Sequence, residues 1–296
     1  MTSVRVEPPS VDGHAWLTDL IESVQLTPKG EDVALLLTKN PRAAAFVPAS
    51  QLAKEIGVNT ATVVRFAQLL GFSGWKEFQL NFRHRYLASV LPSEMAAERP
   101  GEVWDSPFEA AVQRDVENVQ TALSTVDRQV LAEVVRALAA ARKTVVLSAG
   151  SYAAVGHILV DKLNVMGYDA CLETRGGIHT ITSMSSLEPG DCLIGISFLR
   201  LLRHVVVGCP EAARRGITTV AITDSVFSPL ARAATHTIMV PTESTSWFQS
   251  LTAATAVVNG LVCELHAFAG ARADDAVKRV EALYGTFDVL YERDQR

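Results

Sequence analysis

Small hydroxyl residues, glycines and arginines recur at the ends of β-branched, apolar runs in this sequence, which is where an α/β protein would assemble an anion site. The run KTVVLSAGS ends on Gly150-Ser151, DCLIGIS ends on Ser197 with Arg200 and Arg203 close behind, and ITTVAITDS ends on Thr223-Asp224-Ser225. Arg175-Gly176-Gly177 forms a further turn that could face an anion or serve only as a connection. In an open parallel sheet, ligands settle beyond the carboxyl ends of the strands, where helix N-termini present unpaired N–H groups. Serine hydroxyls, those N–H groups and a guanidinium could together hold a phosphorylated ligand. The same residue types also make ordinary turns and caps, and for Asp224, with Ser228-Pro229 behind it, capping is the expected role. Proton transfer at a ligand carbon would need a positioned base. Glu243, His179 and His204 are the candidates near strand ends, none with a recognisable partner. Cys171, Cys192, Cys209 and Cys263 are spaced too widely for a zinc pattern and read as reduced core residues, so no metal and no other cofactor is expected.

The elements that would position these residues follow from periodicity. From about residue 108 the chain reads as two helices and then as strands alternating with helices, as a doubly wound, mostly parallel sheet requires. CLIGI and TTVAI lack polar alternation and suit central strands buried on both faces. Upstream, everything reads as short helices, and the stretch 91–107, LPSEMAAERPGEVWDSP, has the composition of a linker. The expected organisation is therefore an all-α domain over 1–90, a linker over 91–107 and an α/β domain over 108–296, in line with a chain of 296 residues.

In the N-terminal part, Thr27-Pro28 announces a helix that runs to Asn40-Pro41, QLAKEI forms a second that ends at Gly57, and Asn59 caps a third, TATVVRFAQLL, that ends at Gly71. The last two make a helix-turn-helix spacing. At about 100° per residue, Val63, Phe66, Ala67 and Leu70 gather on one side and Ala61, Arg65 and Gln68 on the other. Small residues at the start of the helix would let it approach base edges, and an arginine one turn on could reach guanine or phosphate. The charge is distributed to match. Residues 38–90 hold seven Lys/Arg against two Asp/Glu, whereas from 91 onward there are 18 basic and 24 acidic residues. Phosphate neutralisation dominates DNA affinity, so a local basic excess counts for more than the net charge of -5.

The string ASQLAKEIGVNTATVVRFAQLLGFSGWKEFQLNFR resembles the helix-turn-helix domain of the RpiR/MurR family of bacterial transcriptional regulators. Thr62, Val63, Arg65, Phe66, Gly71, Phe72, Gly74, Trp75, Glu77 and Phe78 match its T-V-x-R-F and G-F-x-G-[YFW]-x-E-F core. The resemblance, over about 15–90, implies that Thr60, Thr62 and Arg65 face DNA and that Lys54 and Lys76 lie near phosphates. With the outward face and the cap, the expected DNA-binding set is Lys54, Asn59, Thr60, Ala61, Thr62, Arg65, Gln68 and Lys76.

Residues 143–268 resemble the SIS (sugar isomerase) domain that accompanies this helix-turn-helix, whose first loop reads G-x-G-x-S and whose second reads S-x-S-G-x-T. SAGSYAAVG keeps Gly150 and Ser151, with Ser148 where the earlier glycine stands; the second loop keeps Ser197 but has Phe198-Leu199-Arg200 in place of S-G. The change removes the glycine that permits a backbone nest and leaves a guanidinium to take over the anion. The resemblance also implies that Glu243 and Ser244 approach the effector, so the expected effector set is Gly150, Ser151, Arg175, Ser197, Arg200, Arg203, Glu243 and Ser244.

The function implied is a DNA-binding transcriptional regulator, not an enzyme, whose second domain senses a small phosphorylated or otherwise anionic sugar-type metabolite. The alternative is a phosphosugar isomerase or lyase with a helical appendage. An architectural DNA-coating protein is disfavoured by the overall acidity. Expected partners are double-stranded operator DNA, the small anionic metabolite and a second copy of the chain, as a homodimer or homotetramer, because two half-sites need two recognition helices. MTSVRVEPPSVDGHAW carries acids where a secretory leader would be basic and then apolar, and no apolar run approaches about 20 residues, so a cytoplasmic protein with no membrane partner is expected.

Overall fold

A computed structural model describes residues 13–89, 105–226, 228–246 and 248–289. The chain separates into two compact units, with the division between Val103 and Trp104. Most of the expected linker, 91–104, lies outside the described residues.

The N-terminal unit contains α1 (Gly13–Glu22), α2 (Pro28–Lys39), α3 (Pro41–Phe46), α4 (Ala49–Ile56), α5 (Thr60–Leu69) and α6 (Trp75–Ser89). Local chemistry sets the boundaries. Thr27 caps α2 through Gly30 N–H, and Asn40 caps α3 through Ala43 N–H with Pro41 in the first turn, so the chain bends at Asn40 and resumes as helix where an end was expected. Gly57, at φ 76, closes α4 in the left-handed conformation that glycine adopts without steric cost. The core is aromatic and centred on Phe78, which is fully buried and lies 5.0 Å from the Trp75 ring and 5.5 Å from the Phe72 ring, with Trp16, Phe66 and Phe82 around it. Such ring pairs add about 0.5–1.5 kcal/mol each beyond area burial. The motif G-F-x-G-W-x-E-F is thus a packing device that fixes α6 against α5. Its Glu77 accepts both the N–H and the hydroxyl of Ser73, each at 2.6 Å, and these bonds hold its carboxyl below the usual range.

The C-terminal unit begins with α7 (Pro107–Thr125) and α8 (Arg128–Ala140). It continues β1 (Thr144–Leu147), a 3-10 turn (Gly150–Tyr152), α9 (Ala153–Val165), β2 (Ala170–Glu173), α10 (Gly177–Ser185), β3 (Cys192–Ile196), α11 (Arg203–Arg214), β4 (Thr218–Thr223), α12 (Pro229–Ala233), β5 (His236–Met239), α13 (Thr252–Ala269) and α14 (Ala271–Phe287). Five parallel strands lie in the order β2-β1-β3-β4-β5. Strand alternation divides the core between the two faces. Val146, Ile194, Ile196, Val220 and Ile222 pack with α8, α9 and α13, while Val145, Leu147, Leu193 and Ala221 pack with α10, α11 and α12. On the second face Gly195 is required by close approach, since a Cβ there would meet Val205 Cγ1 at 2.9 Å and Leu230 Cδ1 at 3.0 Å.

Two expectations need correction. Cys192 and Cys209 are buried, and burial pushes both thiols up to about 12, but Cys171 is half-buried and Cys263 is exposed on α13, so the four are not all core residues. α13, with 18 residues and mean hydropathy 1.2, is long and apolar enough to cross a membrane by length and composition, although no such run was expected. In this fold it buries Ala253, Ala254, Val258, Leu261 and Leu265 against the sheet's helical cover.

Candidate DNA-binding face and effector pocket

In the N-terminal unit, α5 divides its residues as its periodicity requires. Val63, Phe66, Ala67 and Leu70 are buried, and Thr60, Ala61, Arg65 and Gln68 are exposed. Thr62 is half-buried at the edge of the outward face, and Lys54 and Lys76 are exposed on α4 and α6. The side chain of Asn59 is engaged as the cap, accepting Ala61 N–H at 2.9 Å, and it holds the first turn of α5 open to the solvent. Arg65 makes one weak local bond, Nε to Ala61 O at 3.3 Å, and Gln68 donates to Ser73 O at 3.3 Å. Both bonds are exposed and easily exchanged.

Part of the basic excess is structural. Arg83 donates to Ala45 O at 2.8 Å and lies over the Phe46 ring, while Arg85 lies over Trp16 at 4.6 Å from the ring centre. Such contacts spend the cation on the fold.

In the C-terminal unit, the strand order reverses between β1 and β3, since β1 is followed outward by β2 and the chain then returns to the other side. In open parallel sheets ligands settle beyond the strand ends at such a switch point, and here the loops after β1 and β3 leave neighbouring strands there. Gly150, at φ 59, and Ser151 are exposed after β1, and Ser148 Oγ ties this loop to β3 by donating to Ile196 O at 3.1 Å. After β3, Ser197 is fully buried, and its hydroxyl donates to Arg200 O at 3.4 Å and accepts Leu202 N–H at 3.2 Å. Ser197 therefore shapes the turn from within.

The turn also departs from the sequence expectation. Leu199 has a positive φ, 32, although it is not glycine. Its N–H is directed at the carboxylate of Asp224, at 3.0 and 3.2 Å. Asp224 also accepts the Thr242 hydroxyl at 3.1 Å, so this residue, expected to be a simple cap, joins the ends of β3, β4 and β5. Phe198 is fully buried edge-on against Tyr152, with ring centres 5.3 Å apart, and the Tyr152 hydroxyl donates to Gln249 Oε1 at 3.2 Å. Burial, and then the Asp224 carboxylate, push the Tyr152 phenol up to about 12.

The remaining expected residues are less gathered. Arg203 is exposed at the first position of α11, and Arg200 is half-buried in the turn before it. Arg175 stands beyond β2, where it pairs at 3.0 Å with the buried Glu173. Burial acts to raise the Glu173 carboxyl, but the Arg175 bonds and Ser183 outweigh it and hold the carboxyl below its usual range. Glu243 is exposed beyond β5, and its carbonyl accepts from the buried Asn118 of α7 at 2.7 Å; Ser244 accepts Ser246 N–H. His179 is exposed on α10, while His204 is half-buried on α11 with its Nε2 enclosed and unpartnered among the described residues. Sequence reading missed Tyr152, Phe198, Thr242 and Gln249, whose roles come from partners far along the chain.

Comparison with known proteins agrees with both units. Residues 20–89 match the helix-turn-helix domain of the rpiR family and residues 137–263 match the SIS domain. The chain is similar to the sugar isomerase domain of an RpiR transcription factor from Sphaerobacter thermophilus, at 31% identity over 60% of this chain and 99% of that one, with a TM-score of 0.58. It also shares its fold with the NanR protein of Vibrio vulnificus, solved in complex with ManNAc-6P, at 20% identity over 94% of this chain and 100% of that one, with a TM-score of 0.60. An N-terminal helix-turn-helix, a C-terminal SIS domain and these matches together place the chain in the RpiR family of DNA-binding transcriptional regulators.

Proposed function

We propose that this regulator reads operator DNA with the exposed face of α5 and responds to a small phosphorylated or otherwise anionic sugar-type metabolite in the crevice at the β1–β3 switch point. The DNA-binding domain is assigned to 1–90 and the effector domain to 108–296, joined through 91–107. Lys54, Thr60, Ala61, Thr62, Arg65, Gln68 and Lys76 form the DNA face, with Asn59 holding its first turn. Gly150, Ser151, Arg200 and Arg203 border the crevice with the Ser197 turn, and Glu243 and Ser244 approach it from beyond β5. The pairing of Arg175 with Glu173 argues for a supporting role beside β2.

The observation that carries the reading is the convergence of loops from β1, β3, β4 and β5, held together by Tyr152–Gln249 and Asp224–Thr242. NanR, whose fold is similar, was solved with a phosphosugar, which supports the same ligand class here. The protein acts by binding and without catalysis, in the cytoplasm, as a homodimer or homotetramer. A ligand changes operator affinity only by favouring one arrangement of the two recognition helices.

The test is binding of the full chain to DNA upstream of its own and neighbouring genes at physiological salt, with and without a panel of sugar phosphates and related acids. Specific binding shifted by one compound supports the proposal; absence of specific binding in every condition overturns it.

A further inference from the structure

In a left-handed turn beyond a parallel strand, the backbone N–H points out of the sheet edge and is a natural anion donor. In this chain that donor is Leu199 N–H, and it is already bonded to a carboxylate of the protein itself, Asp224. The bond spans 25 residues, and the carboxylate is held from a second side by Thr242, whose own exposure is 8%. One N–H serves one strong acceptor, so a phosphate placed there would have to displace Asp224 and would stand beside its charge.

We infer that Asp224 is a specificity-determining residue that occupies the anion position of the β3 turn, so that this part of the crevice receives the hydroxyl groups of the effector while the effector's charged group lies away from the Leu199 amide. The inference rests on the effector reading above and deepens it. A carboxylate with its Leu199 and Thr242 bonds in place is a fixed acceptor for donor hydroxyls. It also supplies the physical reason that leucine is tolerated in the turn, because a charge-assisted bond helps to hold a conformation that strains a non-glycine residue.

Calorimetric titration of the full chain with inorganic phosphate tests this, using Asp224→Ala, which vacates the amide, Asp224→Asn, which removes the charge but keeps the side-chain shape, and Thr242→Val, which keeps the carboxylate. Asp224→Ala should bind phosphate at least about tenfold more tightly than the wild type, a difference of about 1.4 kcal/mol, Asp224→Asn should gain less, since its amide oxygen still accepts the Leu199 N–H while the repelling charge is gone, and Thr242→Val should match the wild type. Circular dichroism reports folding, and Asp224→Asn carries the test if the alanine variant does not fold. Wild-type phosphate affinity equal to that of the Asp224 variants overturns the inference, and so does an equal gain in Thr242→Val, which would assign the effect to a loosened loop. Failure of the effector reading is seen separately, as operator binding by the wild type that no sugar phosphate alters.

Discussion

The carboxylate of Asp224 accepts the backbone N–H of Leu199 across the ends of two neighbouring strands, and it does so at the one described β-strand exit where a non-glycine residue has a positive φ. The two features explain each other. A leucine at φ 32 is strained, and a bond to an ionised acceptor is among the stronger polar contacts available to offset that strain.

Asp224→Ala should therefore lower stability by about 1–3 kcal/mol, while Asp224→Asn, which still offers an amide oxygen to Leu199, should lose less. Urea unfolding of the full chain measures both. An alanine variant as stable as the wild type would show that the turn is held by packing alone.

Arg65→Ala should weaken specific operator binding by about 1–3 kcal/mol through the lost base contact, with thermal stability within about 0.5 kcal/mol of the wild type. The side chain is exposed and its one local bond is weak, so the fold does not depend on it. Operator affinity retained in a gel-shift titration would reject this face of α5.

Asn59 separates capping from DNA contact. Asn59→Ala should destabilise the N-terminal unit by about 1 kcal/mol, because the Ala61 N–H loses its acceptor. Asn59→Asp keeps the cap and should keep stability, yet it sets a negative charge at the start of the recognition helix and should weaken DNA binding, most strongly at low salt. Equal DNA affinity for Asp and Asn at low salt would move this end of α5 away from the phosphates.

Arg203→Ala should weaken the response of operator binding to the effector without altering DNA affinity in its absence. Arg203 is exposed at the start of α11, beside the turn that carries Ser197, so its loss leaves the core untouched. An unchanged effector response takes the residue out of the pocket.

Tyr152→Phe should cost about 0.5–1.5 kcal/mol at neutral pH through the lost Gln249 bond. The pH dependence has a definite sign. The phenol is raised from about 10 in the unfolded chain to about 12 in the fold, so its contribution is complete below pH 10 and is lost as pH rises towards 12. The advantage of the wild type over the variant should therefore shrink and then reverse across that alkaline window; a constant gap between them would mean that the phenol titrates normally.

The sequence by itself determined the local structure. Caps at Thr27 and Asn59, the left-handed stop at Gly57 and the period of α5 are written in residues a few positions apart, and each recurs in the fold. The strands were legible for the same reason, since a run such as CLIGI is buried on both faces and needs no polar alternation. The helix α14 went unread, as did the full length of α6, because neither has a strong apolar stripe flanked by a clear cap, and tertiary contact with α1 and α3 stabilises the latter.

What only the tertiary structure decided is which residues of the candidate sites are engaged and with whom. Asp224 reads locally as a cap but bonds Leu199 from 25 residues away, and Tyr152 finds Gln249 across 97. Arg83 reads as one more cation for DNA, yet it bonds Ala45 across 38 residues. Sequence spacing carries no signal for such pairs. They exist because five parallel strands bring loops distant in the chain to one edge, and because a helical core leaves some of its carbonyls within reach of a long side chain.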